Sequence, residues 1–169
     1  MRYEAFAHRG FQDKGVTSVV VTRTDDTGWL QAGGFLLDLH CLGVKDAFFT
    51  EMPASDWPHE MNKMIAAAER VAIHPACARK LVEGVVAYAE ALGFRPHRDF
   101  KKARRAFGSI SAHDCPETFA YGRDGKPLYV AGPHDDDERV DRVMRTLTAK
   151  LGPDGFHYIL PVDPDDAQT

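Results

Sequence analysis

The sequence predicts an α+β fold: a mainly antiparallel sheet with helices packed on one side. Three observations predict it. Strand-like and helix-like stretches are grouped rather than alternating, in the order β-β-β-α-α-α-β-β-α-β, which disfavours a doubly wound parallel sheet. The 169-residue chain is 44% hydrophobic and 27% charged, a globular composition with enough length to bury a core without staples. No internal repeat and no low-complexity tract is present, so solenoids and linkers are disfavoured. A single domain is expected over residues 1–160, followed by an acidic, proline-broken tail at 161–169 that should fray.

Residues 16–24 are β-branched almost throughout, and the turn-rich Asp25-Asp26-Thr27-Gly28 separates them from an apolar stretch running from Trp29 to Leu42. This reads as a hairpin, with residues 46–51 returning as a third strand. Gly33-Gly34 in the second arm marks a bulge or a close backbone approach rather than a phosphate-cradling loop. Ser55 or Asp56 caps a first helix with Pro58 in its first turn, and Trp57, Met61, Met64, Ile65, Ala68 and Val71 recur at helical spacing. A second helix opens at His74-Pro75, carries Cys77, Leu81, Val85, Tyr88, Ala89 and Leu92 on one stripe, and ends at Gly93. Gly84 costs that helix about 1 kcal/mol against alanine, so a tight contact is expected there.

Pro96 forces a break, after which Asp99 caps a short basic helix over residues 100–107. Asp124-Gly125 between two apolar runs predicts a second hairpin, pairing residues 117–121 with 127–131. A last helix over 136–151 places Val140, Val143, Met144, Leu147 and Leu151 on one face, with Gly152-Pro153 as its stop, and 156–160 should be a closing strand.

The N-terminus lacks the apolar run of a signal peptide and no segment approaches the roughly 18 apolar residues of a membrane span, so a cytoplasmic protein without membrane contact is expected. Cys41, Cys77 and Cys115 are odd in number and widely spaced, which predicts reduced thiols. No cofactor is expected. The net charge of −4 excludes a whole-surface attraction to nucleic acid or anionic lipid, so any such binding must be local.

Three stretches, residues 38–46 (Asp38 to Asp46, with Cys41-Leu42-Gly43-Val44-Lys45), 93–100 (Gly93-Phe94-Arg95-Pro96-His97-Arg98-Asp99-Phe100) and 119–127 (around Gly122-Arg123-Asp124-Gly125-Lys126-Pro127), resemble those of a group of uncharacterised bacterial proteins. The resemblance spans roughly residues 17–131 of the domain. It implies no activity, cofactor or catalytic residue.

Four constellations carry chemistry. Asp38 and His40 share a strand face and, with Lys45, would form an acid/base site of a small phosphoester or amide hydrolase; the competing reading is a carboxylate that hydrogen-bonds backbone or pairs with Lys45. His74 and Cys77 with His113 and Cys115 are tetrahedral zinc ligand types, but the second pair has one intervening residue and Cys77 lies on an apolar stripe, so no metal is assigned. Asp135-Asp136-Asp137-Glu138 sits where a helix dipole favours acids. The densest charge feature is Arg95, Arg98, Lys101, Lys102, Arg104 and Arg105, with His97, Phe94 and Phe100 interleaved. Cations near a helix grip phosphates and exposed aromatics stack bases. In the absence of a complete catalytic signature, the sequence favours a non-catalytic binding domain that meets RNA, a ribonucleoprotein or an acidic protein through residues 95–105.

Overall fold

The structure, a computed structural model, describes residues 1–161; the expected fraying at 162–169 lies outside the described residues. Strands β2 (Val16–Thr24), β3 (Trp29–Asp38) and β4 (Gly43–Pro53) form the expected antiparallel meander. Asp25 closes its first turn by accepting the amides of Thr27 (2.9 Å) and Trp29 (3.0 Å). β1 (Arg2–His8), followed by the short helix α1 (Phe11–Lys14), and β5 (Arg70–Ile73) extend the sheet to five strands in the order β4-β3-β2-β1-β5, every neighbouring pair antiparallel. The additional strands, β1 and β5, give little sequence signal. The buried positions of β1 are Ala5 and Ala7, too small to read as an apolar stripe, and β5 has four residues.

β5 takes the end of the stretch predicted as the first helix. That helix, α2 (Trp57–Met64), stops at Ile65, whose backbone is extended (φ −136°, ψ 112°). Val71 therefore sits opposite Ala7 in the sheet rather than on a helical stripe. Periodicity failed here because a strand one turn beyond a helix can carry apolar residues at the same spacing by coincidence.

The long helix α3 (Pro75–Leu92) forms as the sequence predicts. His74 caps it, its ring nitrogen Nδ1 accepting the Ala76 amide at 3.1 Å, and Gly93 ends it at φ 101°. Ala78, Leu81, Val82 and Val85 pack on Val19, Val21, Phe35 and Leu37, making the main core. The short helix α4 (Phe100–Ala103) and the 3-10 turn Arg104–Phe107 complete that layer with Phe100 and Phe107. They come close because β3 offers glycine: a Cβ on Gly33 would collide with the Ala103 carbonyl and, at 2.9 Å, with Ala106. Across the sheet Gly34 makes room for the Phe48 ring in the same way. On that opposite face α2 lays Trp57 and Met61 over Val20, Leu30 and Ala32, so helices cover both faces of the sheet rather than the one side expected. The contact expected at Gly84 is with Tyr121, whose hydroxyl occupies the space of a Cβ and donates to Leu81 O at 3.2 Å.

Two further expectations are corrected. The Asp124-Gly125 turn exists, with φ 52° and 79°, but 117–121 and 127–131 do not pair as a hairpin. Gly122 N donates to Leu39 O (3.0 Å) and Leu128 N to His40 O (3.0 Å), so both arms are drawn to the β3–β4 turn. Strand β6 (Leu128–Val130) then pairs in parallel with β7 (His157–Ile159). A local turn signal fixes the reversal and not the partner of the strand that leaves it. Helix α5 (Asp137–Leu151) packs Val143 and Leu147 with Leu42, Leu92 and Tyr129 in a second cluster beyond the sheet.

The second correction concerns the thiols. Cys77 and Cys115 form a disulfide and Cys41 is free and buried. Spacing did not reveal the pair because 38 residues separate the two cysteines, whereas the fold sets the Cys115 loop against the start of α3. No helix among the described residues is long and apolar enough to cross a membrane.

Replacing Gly33 with valine should lower stability by about 1–3 kcal/mol, the usual range for overpacking, because the group in the way is a carbonyl fixed in its own helix; urea unfolding measures it, and an unchanged midpoint contradicts the close approach. Thiol titration of denatured, unreduced protein should count one thiol, and three after reduction. Replacing Cys77 and Cys115 with serine should cost about 4 kcal/mol on a loop-entropy basis, readable as a loss of Tm.

Candidate nucleic-acid interface

The segment after α3 folds from its aromatic residues outward. Gly93 reverses the chain and lets Phe94 N donate to Ala89 O at 2.9 Å. His97 N then donates to Val44 O (2.9 Å), pinning the loop to β4, and Phe100 N to His97 O (2.9 Å) starts the next turn. Phe94 turns toward the second cluster and Phe100 enters the main core. With the apolar side chains taken inward, Arg95, Arg98, Lys101, Lys102, Arg104 and Arg105 are all left exposed. Among the described residues none of the six has a carboxylate within ion-pairing distance.

The six do not act as one row. Arg95, Arg98 and Lys101 line an open groove of about 590 Å³, with His97 in its wall and Glu90 as its acidic member. Arg104 lies over the Phe100 ring at 5.8 Å and Arg105 over the Phe49 ring at 5.7 Å, each held by a cation–π contact that leaves guanidinium donors free. Lys102 belongs to neither group. His97 sits between Asp46 (3.7 Å) and Asp99 (3.8 Å), and its Nδ1 accepts the Asp99 amide (3.1 Å), so its ring braces the loop. Phe94 and Phe100 both line the groove, but Phe100, expected as a stacking platform, is 9% exposed and spent on the core, leaving the half-buried Phe94 as the more accessible ring.

A second cleft, of about 380 Å³, adjoins the first and shares Arg95, Phe94 and His97 with it. Lys45 from β4 and Arg139 and Arg142 from α5 enter it over a floor of Leu42, Val44 and Val143. Arg139 is tied to Asp135 at 2.9 Å. The sequence named Lys45 only for an acid/base site and gave no sign of Arg139 and Arg142, because β4 and α5 meet the 93–97 loop only through the fold.

The acid/base site takes another form. β3 ends at Asp38, and the apolar stretch reverses in a tight turn before Gly43 (φ 75°), so Asp38 and His40 do not share a strand face. Asp38 Oδ1 accepts His40 N and Oδ2 accepts Leu42 N, both at 3.0 Å. Burial raises the carboxyl above its ordinary range, opposed by those two amides and by Lys45. The His40 ring packs where a Gly15 side chain would stand. Lys45 faces the second cleft, while Asp38, at 8% exposure, closes the turn from the interior. Cys41 beside it is pushed up to about 12 by burial and by the Asp38 charge, a buried thiol without thiolate character.

The zinc ligand set is divided by its own chemistry. The sulfurs of Cys77 and Cys115 are bonded to each other, and His74 Nδ1 serves as a helix cap, which leaves His113 exposed without companions. Among the described residues no group of three or more His, Cys, Asp or Glu side chains is placed to hold a metal. The acidic run does what a helix start requires: Asp136 accepts Arg139 N (2.8 Å), and Asp135 accepts Gly132 N (2.8 Å) and the Tyr129 hydroxyl (3.0 Å). Comparison of the chain with family profiles, with curated proteins and with solved structures finds no match in any of the three.

The stability margin of the wild-type chain over Asp38→Asn should be greatest at acid pH and shrink as pH rises. The folded carboxyl, its affinity for a proton raised by burial, holds that proton above the unfolded range, so its contribution is lost as pH climbs through the folded value. Denaturant midpoints of both chains between acid and neutral pH measure the margin, and a margin that grows with pH contradicts the assignment.

Proposed function

We propose that this protein is a non-catalytic RNA-binding domain, and that the groove formed by Arg95, Arg98 and Lys101 is where RNA meets it. The observation that carries the reading is the absence of carboxylate partners for any of the six cations from residues 95–105 among the described residues, in a chain whose acids outnumber its bases by 25 to 21. Cations on a solvated helix face are commonly neutralised by neighbours; here Arg95 and Arg98 stand exposed on a loop held by the Phe94–Ala89 and His97–Val44 hydrogen bonds, and Lys101 on the short helix that follows, without such partners. Such a loop positions charge without ordering entropy at the moment of binding. Phosphate contacts give affinity without sequence preference, and the half-buried Phe94 offers one apolar surface to a base.

The hydrolase reading is not carried further, since its acid is buried and occupied in closing a turn. A cytoplasmic location belongs to the proposal. The Cys77–Cys115 disulfide counts against it, because such bonds persist in oxidising compartments and are rare in the cytosol.

A single-stranded RNA of mixed sequence should bind with a salt dependence that weakens in the triple variant Arg95→Gln, Arg98→Gln, Lys101→Gln, the slope of log K against log salt falling by about 2. Fluorescence anisotropy at several salt concentrations measures both. An unchanged affinity and slope in the triple variant overturns the reading, and retention of an acidic protein after nuclease treatment of the copurified material replaces RNA with that partner.

A further inference from the structure

We infer that the second cleft, between the 93–97 loop, the start of β4 and the first turns of α5, holds the terminal phosphate monoester of the bound RNA; this rests on the RNA reading above. The two depressions differ in kind. The groove of Arg95, Arg98 and Lys101 is open, suited to a passing phosphodiester track. The second is walled by three separate elements, and Lys45, Arg95 and Arg142 converge in it over an apolar floor. None of these three has a carboxylate within ion-pairing distance among the described residues, while the nearby Asp135 is occupied by Arg139, Gly132 and Tyr129. Glu90 and Asp46 border the loop on its open sides, Asp46 facing His97.

A phosphodiester brings one negative charge, whereas a monoester brings between one and two at neutral pH and three free acceptor oxygens. Three cations lining one cleft match the charge and the extra acceptor oxygen of a monoester better than the single charge of a phosphodiester. Arg95 lines both depressions, so a strand lying along the open groove reaches the cleft with its end. Phe94, which also lines both, is placed to take the terminal base or ribose on its half-buried ring. A small phosphate ester alone would use the cleft and gain nothing from Arg98 and Lys101.

The test compares one short single-stranded RNA with a 5′-phosphate, a 3′-phosphate or hydroxyl ends, alongside the matching nucleoside monophosphate, by anisotropy and by competition. One phosphorylated form should bind about tenfold more tightly than the hydroxyl-ended RNA, the size of one charge-assisted hydrogen bond. Lys45→Gln with Arg142→Gln should erase that advantage and keep the binding of hydroxyl-ended RNA; should the pair fail to fold, Arg142→Gln alone, on the exposed side of α5, serves. Equal binding of all end forms, or an advantage that survives these substitutions, overturns the inference while leaving RNA binding intact. A nucleoside monophosphate that binds as tightly as the phosphorylated RNA overturns it in favour of a free nucleotide. Failure of every RNA to bind removes the RNA reading and this inference with it.

Discussion

The carboxylate of Asp38 accepts two backbone amides, those of His40 and Leu42, and so holds closed the turn between β3 and β4. That turn carries much of what lies beyond the sheet. Leu39 N reaches back to Gly15 O at 2.7 Å, Leu39 O receives Gly122 N, and His40 O receives Leu128 N. Gly43 follows with a positive φ, allowing β4 to begin against α3, where a side chain would meet Ala89 at 2.7 Å. Val44 O, one residue on, anchors His97. A buried carboxylate is costly to desolvate, and here the cost is offset by a corner to which the chain at Gly15, His97, Gly122 and Leu128 is hydrogen-bonded. The candidate interface depends on this corner, since Lys45 and the 93–97 loop both take their positions from it.

Residues whose structural role is local were legible in the sequence. β2 announces itself through consecutive β-branched residues, α3 through His74-Pro75 at its start and Gly93 at its end, and the 25–28 turn through its Asp and Gly. Gly33-Gly34 and Gly84 were readable as close approaches because glycine within a regular element is unfavourable unless something needs the space. The partners, Ala103 and Tyr121, were not readable, since nothing at the glycine encodes what fills the gap.

Pairings over long separations were hidden for the same reason. The Asp124-Gly125 turn determines where the chain reverses, and the carbonyls of Leu39 and His40 determine where the arms go. β6 finds β7 in parallel across an intervening helix, and Cys77 finds Cys115 across a loop that local spacing does not describe. Half of the candidate interface shares this fate. Residues 95–105 declared themselves by charge density, whereas Lys45 and Arg142 became members only when β4 and α5 were brought beside the loop. Asp38 and His40 misled because alternation along a strand was extended past the point where the strand ends.

An anionic body does not defeat a cationic groove, because the two act over different distances. At physiological salt the field of an exposed charge decays over about 8 Å, so the acids of distant faces are screened from a ligand lying in the groove. What such a ligand meets is the charge within reach: Arg95, Arg98 and Lys101, opposed by Glu90 and by Asp46 and Asp99 on either side of His97. Crowding cations on one short segment costs self-repulsion, and the chain meets that cost with packing, drawing Phe94 and Phe100 inward and laying Arg104 and Arg105 over aromatic faces. A neighbouring carboxylate would have removed the repulsion more simply. No carboxylate pairs directly with any of the six among the described residues, which leaves a potential that a bound polyanion would relieve.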